Sequence, residues 1–115
     1  MSRRFCQALD LVDDPQLIAE YEAHHQRIWP AVAAAMRQFG IVDMEIYRLG
    51  NRLFMVVEVN QQFNGQQYAE HCQQVAEIQA WEALMWKYQR PTPWTADGEK
   101  WAPMRRIFAL SEQPE

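Results

Sequence analysis

The sequence predicts a single α+β domain in the order strand, helix, strand, strand, helix, strand. Three observations carry that expectation. Apolar residues alternate near the N-terminus, they recur at helical spacing from Ile18 to Phe39, and two further alternating runs flank the dipeptide Gly50-Asn51. With 115 residues the chain suffices for one hydrophobic core and is too short for two ordinary domains, so residues 1–115 are expected to form one unit with an ordered core over 3–110.

The elements follow in order. Residues 3–12 put Phe5, Leu9 and Leu11 on one face and Cys6, Ala8 and Val12 on the other, the pattern of a strand inside a sheet. Asp13-Asp14-Pro15 then offers a carboxylate cap and a first-turn proline, which predicts a helix from Pro15 to the Gly40 stop. Pro30 lacks an amide hydrogen and crowds the carbonyl of Gln26, so that helix should bend or break between Gln26 and Pro30, opening space beside His25. Ile41–Leu49 and Arg52–Val59 read as an antiparallel hairpin about Gly50-Asn51. The glutamine-rich segment 61–74 reads as a short helix or irregular arm, and Val75, Ile78, Trp81, Met85 and Tyr88 mark a second strong helix. Pro103–Leu110 closes the pattern as a last strand, with 111–115 a loose tail. This is a split βαβ pair, a ferredoxin-like layout with both helices on one sheet face. The other face would present Phe54, Val56 and Ile107, too apolar for water, and face-to-face homodimerisation is the economical remedy.

Composition narrows the function. Hydrophobic residues make up 49% of the chain and the net charge is -4 with scattered basic residues, so no basic stripe exists to follow a phosphate backbone and nucleic acid is not expected as a partner. No apolar run is long enough to span a bilayer and the N-terminus has no signal-peptide core, so no membrane partner and a cytoplasmic location are expected. Cys6 and Cys72 form no Cys-x-x-Cys motif. His24 and His25 diverge by about 100° on a helix, so no metal site is expected.

The chemistry concentrates in Tyr21-Glu-Ala-His-His25-Gln-Arg-Ile-Trp29-Pro30, where Tyr21, His25 and Trp29 recur at four-residue steps. Residues so spaced share a helix face, here within the apolar stripe of Ile18, Ile28, Val32, Met36 and Phe39. An imidazole at the edge of an apolar pocket can give or take a proton near neutrality, although a core histidine satisfied by a carbonyl or water fits the same local pattern. A small sugar is held by aromatic faces and by polar groups aimed at its hydroxyls, and Tyr21, Trp29, Tyr47, Trp81, Trp86, Trp94 and Trp101 supply many candidates for the former. Glu22, Glu45, Glu58 and Glu82 are possible acid or base partners, a role carboxylates seldom have. No nucleophile elbow, phosphate loop or dinucleotide fingerprint occurs.

These residues carry a resemblance. Tyr21-x-x-x-His25-x-x-Ile-Trp29-Pro30, the Gly40 stop, the strand ending Ile46-Tyr47, the strand Leu53–Glu58, a tryptophan-bearing helix and the terminal Arg-Ile-Phe-x-Leu resemble the L-rhamnose mutarotase family from Arg3 to Leu110. The resemblance implies a dimeric α/β barrel that interconverts the anomers of a 6-deoxy aldose without metal or organic cofactor. It implies His25 as proton donor and Tyr21 as a substrate contact, with Trp29, Tyr47, and Trp81 or Trp86 further candidates around the sugar. Two departures bear on the substrate: Met44 stands where rhamnose-specific members have a tyrosine, and Trp81 and Trp86 are separated where those members have adjacent tryptophans. L-Rhamnose is the family default and L-fucose its rival. The alternatives from other classes are a non-enzymatic ligand-binding protein of the same dimeric architecture and a cofactor-free monooxygenase.

Overall fold

A computed structural model describes residues 2–115. Its elements are β1 (Arg3–Leu11), α1 (Pro15–His24), α2 (Pro30–Gln38), β2 (Ile41–Leu49), β3 (Arg52–Val59), α3 (Gly65–Gln74), α4 (Ala76–Trp86), β4 (Gln89–Arg90) and β5 (Ala102–Met104). The strands form one antiparallel sheet ordered β2-β3-β1-β4, with β5 also pairing β1. This is the ferredoxin-like arrangement, its last strand divided into β4 and β5 by the loop of residues 91–101.

The strict alternation of β3, which buries Leu53, Met55, Val57 and Val59, sets the two faces of the sheet. Leu9 and Leu11 of β1 lie on the same side, beneath a core of Tyr21, Val32, Ala35, Ile78, Trp81, Met85 and Tyr88 from the helices. The opposite face carries Ala8, Phe54 and Tyr47 in one cross-strand row and Cys6, Val56 and Glu45 in the next. Among the described residues no helix covers it.

Two elements resolve between the alternatives expected and a third is corrected. The first helix is two helices: α1 ends at His24, tight turns from His25 to Glu22 and from Gln26 to Ala23 follow, and Pro30 opens α2 as its first residue. Proline thus starts a helix rather than bending one. The glutamine-rich segment is helical because Asn64 caps it, its side chain accepting from the Gln67 amide at 3.0 Å. The last strand stops at Met104, well short of Leu110. Continuing the register Cys6↔Met104 would set Arg4 directly opposite Arg106, and like charges facing one another destabilise a ladder. Ile107, Phe108 and Leu110 consequently stand exposed.

The hairpin turn falls at Gly50, whose φ of 59° lies in the left-handed region. Gly40 is more constrained still. Its φ is 100°, and a Cβ there would lie 2.4 Å from Asn60 Oδ1.

Candidate active site

Between the helices and the covered sheet face lies a cleft of about 1180 Å³ that opens to solvent. Its walls include Gln7, Tyr21, His25, Met44, Ile46, Met55, Trp81, Glu82, Gln89, Lys100 and Trp101.

The end of α1 positions the imidazole. His25 closes that helix as its C-terminal cap, and its Nδ1 lies 2.8 Å from the backbone carbonyl of Tyr21, one turn earlier. A carbonyl can only accept, so Nδ1 carries the proton and Nε2 presents a lone pair. The ring stacks at 4.3 Å on Tyr21 and meets Trp81 edge-on at 5.6 Å. Burial among these rings pushes the His25 pKa below 6.5, against the opposing effect of the Tyr21 carbonyl, and neighbouring His24 adds to the lowering. At neutral pH the group is therefore a neutral base.

Tyr21 is 3% exposed, and burial raises its pKa to about 12, outweighing the lowering by its hydrogen bond from Gln89, with the Glu82 charge adding to the rise. The phenol stays protonated. Gln89 Nε2 donates to its oxygen at 3.2 Å, which leaves the hydroxyl proton free to be given elsewhere. The site thus pairs a lone pair with a hydroxyl donor on adjacent turns of one helix. Lys100 and Glu82 form a further ion pair at the cleft, 2.6 Å apart.

The remaining predicted residues divide. Trp81 is 5% exposed and stands in the cleft wall, whereas Trp29 packs behind it at 5.3 Å. Trp86 is not at the cleft: it is five residues past Trp81, so it turns to the opposite side of α4, where it is 42% exposed beneath the Lys100 ammonium. Tyr47 reaches only the rim. It pairs with Phe54 on the uncovered sheet face, is 56% exposed and donates its hydroxyl to Glu45. The period of two dictates this, because Ile46 and Arg48 take the inward side. Trp94 is exposed outside the cleft, whereas Trp101 lines it. Of the four glutamates, Glu82 and Glu22 reach the cleft, Glu22 from an exposed pair with Arg48.

His24, adjacent to His25, faces elsewhere: its Nε2 lies 3.2 Å from the Tyr88 hydroxyl, which itself donates to Glu20. Sequence reasoning missed Gln7, Gln89 and Lys100. Gln7 was detectable as the one polar residue among the inward positions Phe5, Gln7, Leu9 and Leu11. Gln89 and Lys100 carried no such signal, being brought to the site by a two-residue strand and a loop. Among the described residues, no three His, Cys, Asp or Glu side chains gather as a metal site.

The sequence model of L-rhamnose mutarotase matches residues 4–110. An L-fucose mutarotase of Xanthomonas campestris pv. campestris is 46% identical over 112 residues, covering 96% of this chain and 90% of that one. A protein of Dictyostelium discoideum is 34% identical over 112 residues, covering 94% and 90% respectively. The crystal structure of an L-rhamnose mutarotase from Formosa agariphila superposes with a TM-score of 0.69 at 16% identity, over 94% of this chain and 98% of that one, a likeness of fold.

Proposed function

Because the chain belongs to the L-rhamnose mutarotase family, we propose that it interconverts the α and β anomers of a 6-deoxy-L-hexose at the His25 end of the cleft, with L-fucose ahead of L-rhamnose. The enzyme class, a carbohydrate isomerase, follows from the family. The sugar does not, and the sequence reading placed L-rhamnose first. Two points favour the reverse order: the 46% identical relative acts by name on L-fucose, and the cleft wall carries Met44 where the family resemblance implies a tyrosine in rhamnose-specific members.

The observation that carries the mechanism is the fixed tautomer of His25, Nδ1–H on the Tyr21 carbonyl. In ring opening, Nε2 takes the proton of the anomeric hydroxyl while the Tyr21 hydroxyl gives its proton to the ring oxygen. The bond between the anomeric carbon and the ring oxygen breaks, and the open aldehyde remains. Rotation about the next carbon–carbon bond presents the other face. On reclosure Tyr21 recovers its proton and the His25 imidazolium returns one to the new anomeric hydroxyl. His25 is thus base in opening and donor in closing, and the donor role expected from the resemblance is the second half of the cycle. The Gln89 N–H steadies negative charge developing on the Tyr21 oxygen. Trp81, in the cleft wall, supplies aromatic surface for the sugar's C–H groups.

The cleft exceeds the ~300–1,000 Å³ usual for small-ligand pockets, so one monosaccharide fills only part of it. This supports a homodimer. The uncovered sheet face with Phe54 and Val56 would pack against its counterpart, and the exposed Ile107, Phe108 and Leu110 would be covered in the same association. Sedimentation showing only monomer at micromolar concentration would remove this part. Free Cys6 and Cys72 suit a reducing compartment such as the cytoplasm.

Saturation-transfer NMR on L-fucose and L-rhamnose tests the activity directly. Enzyme-dependent exchange between anomer lines is expected, faster for L-fucose. Binding of both sugars with no exchange of either would make the protein a binding module instead.

A further inference from the structure

The chemistry above uses one end of Gln89 and leaves the other unexplained. Gln89 is 3% exposed on the cleft wall, and its Oε1 finds no hydrogen-bond partner among the described residues. Turning the amide over does not remove the orphan: Oε1 would then accept from Tyr21, and Nε2 would be left alone. A buried, unpaired amide is costly, and few survive in native proteins without a role. Pairing of β4 with β1 at Leu11↔Gln89 fixes the backbone, so the side chain can answer a ligand by rotating its terminal torsion, the softest one it has.

We propose that Gln89 is the specificity residue of this site, accepting a hydrogen bond from the sugar hydroxyl on the carbon next to the anomeric carbon. The inference rests on the anomer chemistry proposed above. His25 and Tyr21, with rings 4.3 Å apart, serve the anomeric hydroxyl and the ring oxygen. Gln89 lies one hydrogen bond beyond the Tyr21 hydroxyl, within reach of the next ring substituent. There are two such substituents in a 6-deoxy-hexose. One is the methyl-bearing carbon beside the ring oxygen, which has nothing to give an acceptor. The other is the hydroxyl beside the anomeric carbon, and it donates. That hydroxyl is equatorial in L-fucose and axial in L-rhamnose, so an acceptor held on one wall discriminates between them.

The test compares wild type and Gln89→Met on the sugar that wild type exchanges and on its 2-deoxy analogue, measuring binding by titration and exchange by NMR. Methionine keeps the approximate volume and offers no amide. Gln89→Met should weaken binding of the parent sugar by about 10- to 100-fold and bind the 2-deoxy analogue as wild type does. Its melting temperature without sugar should hold, since removing the unpaired Oε1 offsets loss of the Nε2 bond to Tyr21. Equal weakening of both sugars, or unchanged binding of the parent, overturns the proposal. Should Gln89→Met fail to fold, Gln89→Glu retains an acceptor and should keep the preference for the hydroxyl. Wild type alone also decides: if it exchanges the parent sugar yet binds the 2-deoxy analogue equally well, this inference falls while the mutarotase reading stands. A wild type that neither binds nor exchanges either sugar removes both.

Discussion

Replacing His25 by Asn separates the chemistry of this site from its architecture. The imidazole contributes its Nδ1–H bond to Tyr21, 2.8 Å long, and ring contacts to Tyr21 and Trp81. Losing a net hydrogen bond costs about 1 kcal/mol and losing the aromatic contact about 0.5–1.5 kcal/mol more. For a chain of this size about 4 °C of melting temperature accompanies each kcal/mol, so a fall of roughly 6–10 °C is expected. The rate should fall much further, by about 10²–10⁴ for loss of general acid–base assistance. That is roughly 3–5 kcal/mol of transition-state stabilisation. His24→Asn is the matched control, since His24 also holds one hydrogen bond, to Tyr88, and an edge contact to Trp81. It should cost similar stability and leave exchange within about twofold, because no reacting group is lost. Anomer exchange by NMR and thermal melts by circular dichroism on both variants read the two quantities. A folded His25→Asn protein exchanging at the wild-type rate would refute the mechanism.

Three other outcomes follow from the same geometry. Since burial lowers the His25 pKa, neutral imidazole persists below pH 6.5, so exchange should stay level through that pH and decline only beneath it. The unfolded chain takes this proton first as pH falls, so stability should drop between 6.5 and the lower folded value and be level above; an acid limb of the rate centred above 6.5 contradicts this. Tyr21→Phe strips the partner from Gln89 Nε2 and the donor from the ring oxygen, and should lower exchange by about 10²-fold. An unchanged turnover number would leave Tyr21 a packing residue. Gly40→Ala should destabilise by more than about 1 kcal/mol, since it combines a positive φ with a clash against Asn60, and denaturant melts will show a lowered midpoint or exclude the strain.

The sequence by itself determined the central hairpin and the shared helix face of Tyr21 and His25. Alternation in Leu53–Val59 and the Gly50-Asn51 turn specify a hairpin through local chemistry, and a four-residue step puts Tyr21 and His25 on one face of any helix that contains them. It also located a disturbance at Pro30, though not its form. Whether proline bends a helix or opens a new one depends on the carbonyl four residues earlier, and here the chain has already left the helix at His25. Tertiary structure decided which aromatics meet the cleft. Trp81 and Trp86 are equally good helix residues in sequence, and only the packing of α4 against α1 and α2 separates the wall from the surface. It also fixed the tautomer of His25, through the Tyr21 carbonyl that the unwound turn leaves available. Gln89 is the clearest case of what sequence withholds. Its two-residue strand has no periodicity to read, and its place beside Tyr21 depends on β4 pairing with a strand nearly eighty residues away in the chain. Long-range pairing carries no local signature, so the partner of the tyrosine emerges only when the sheet closes.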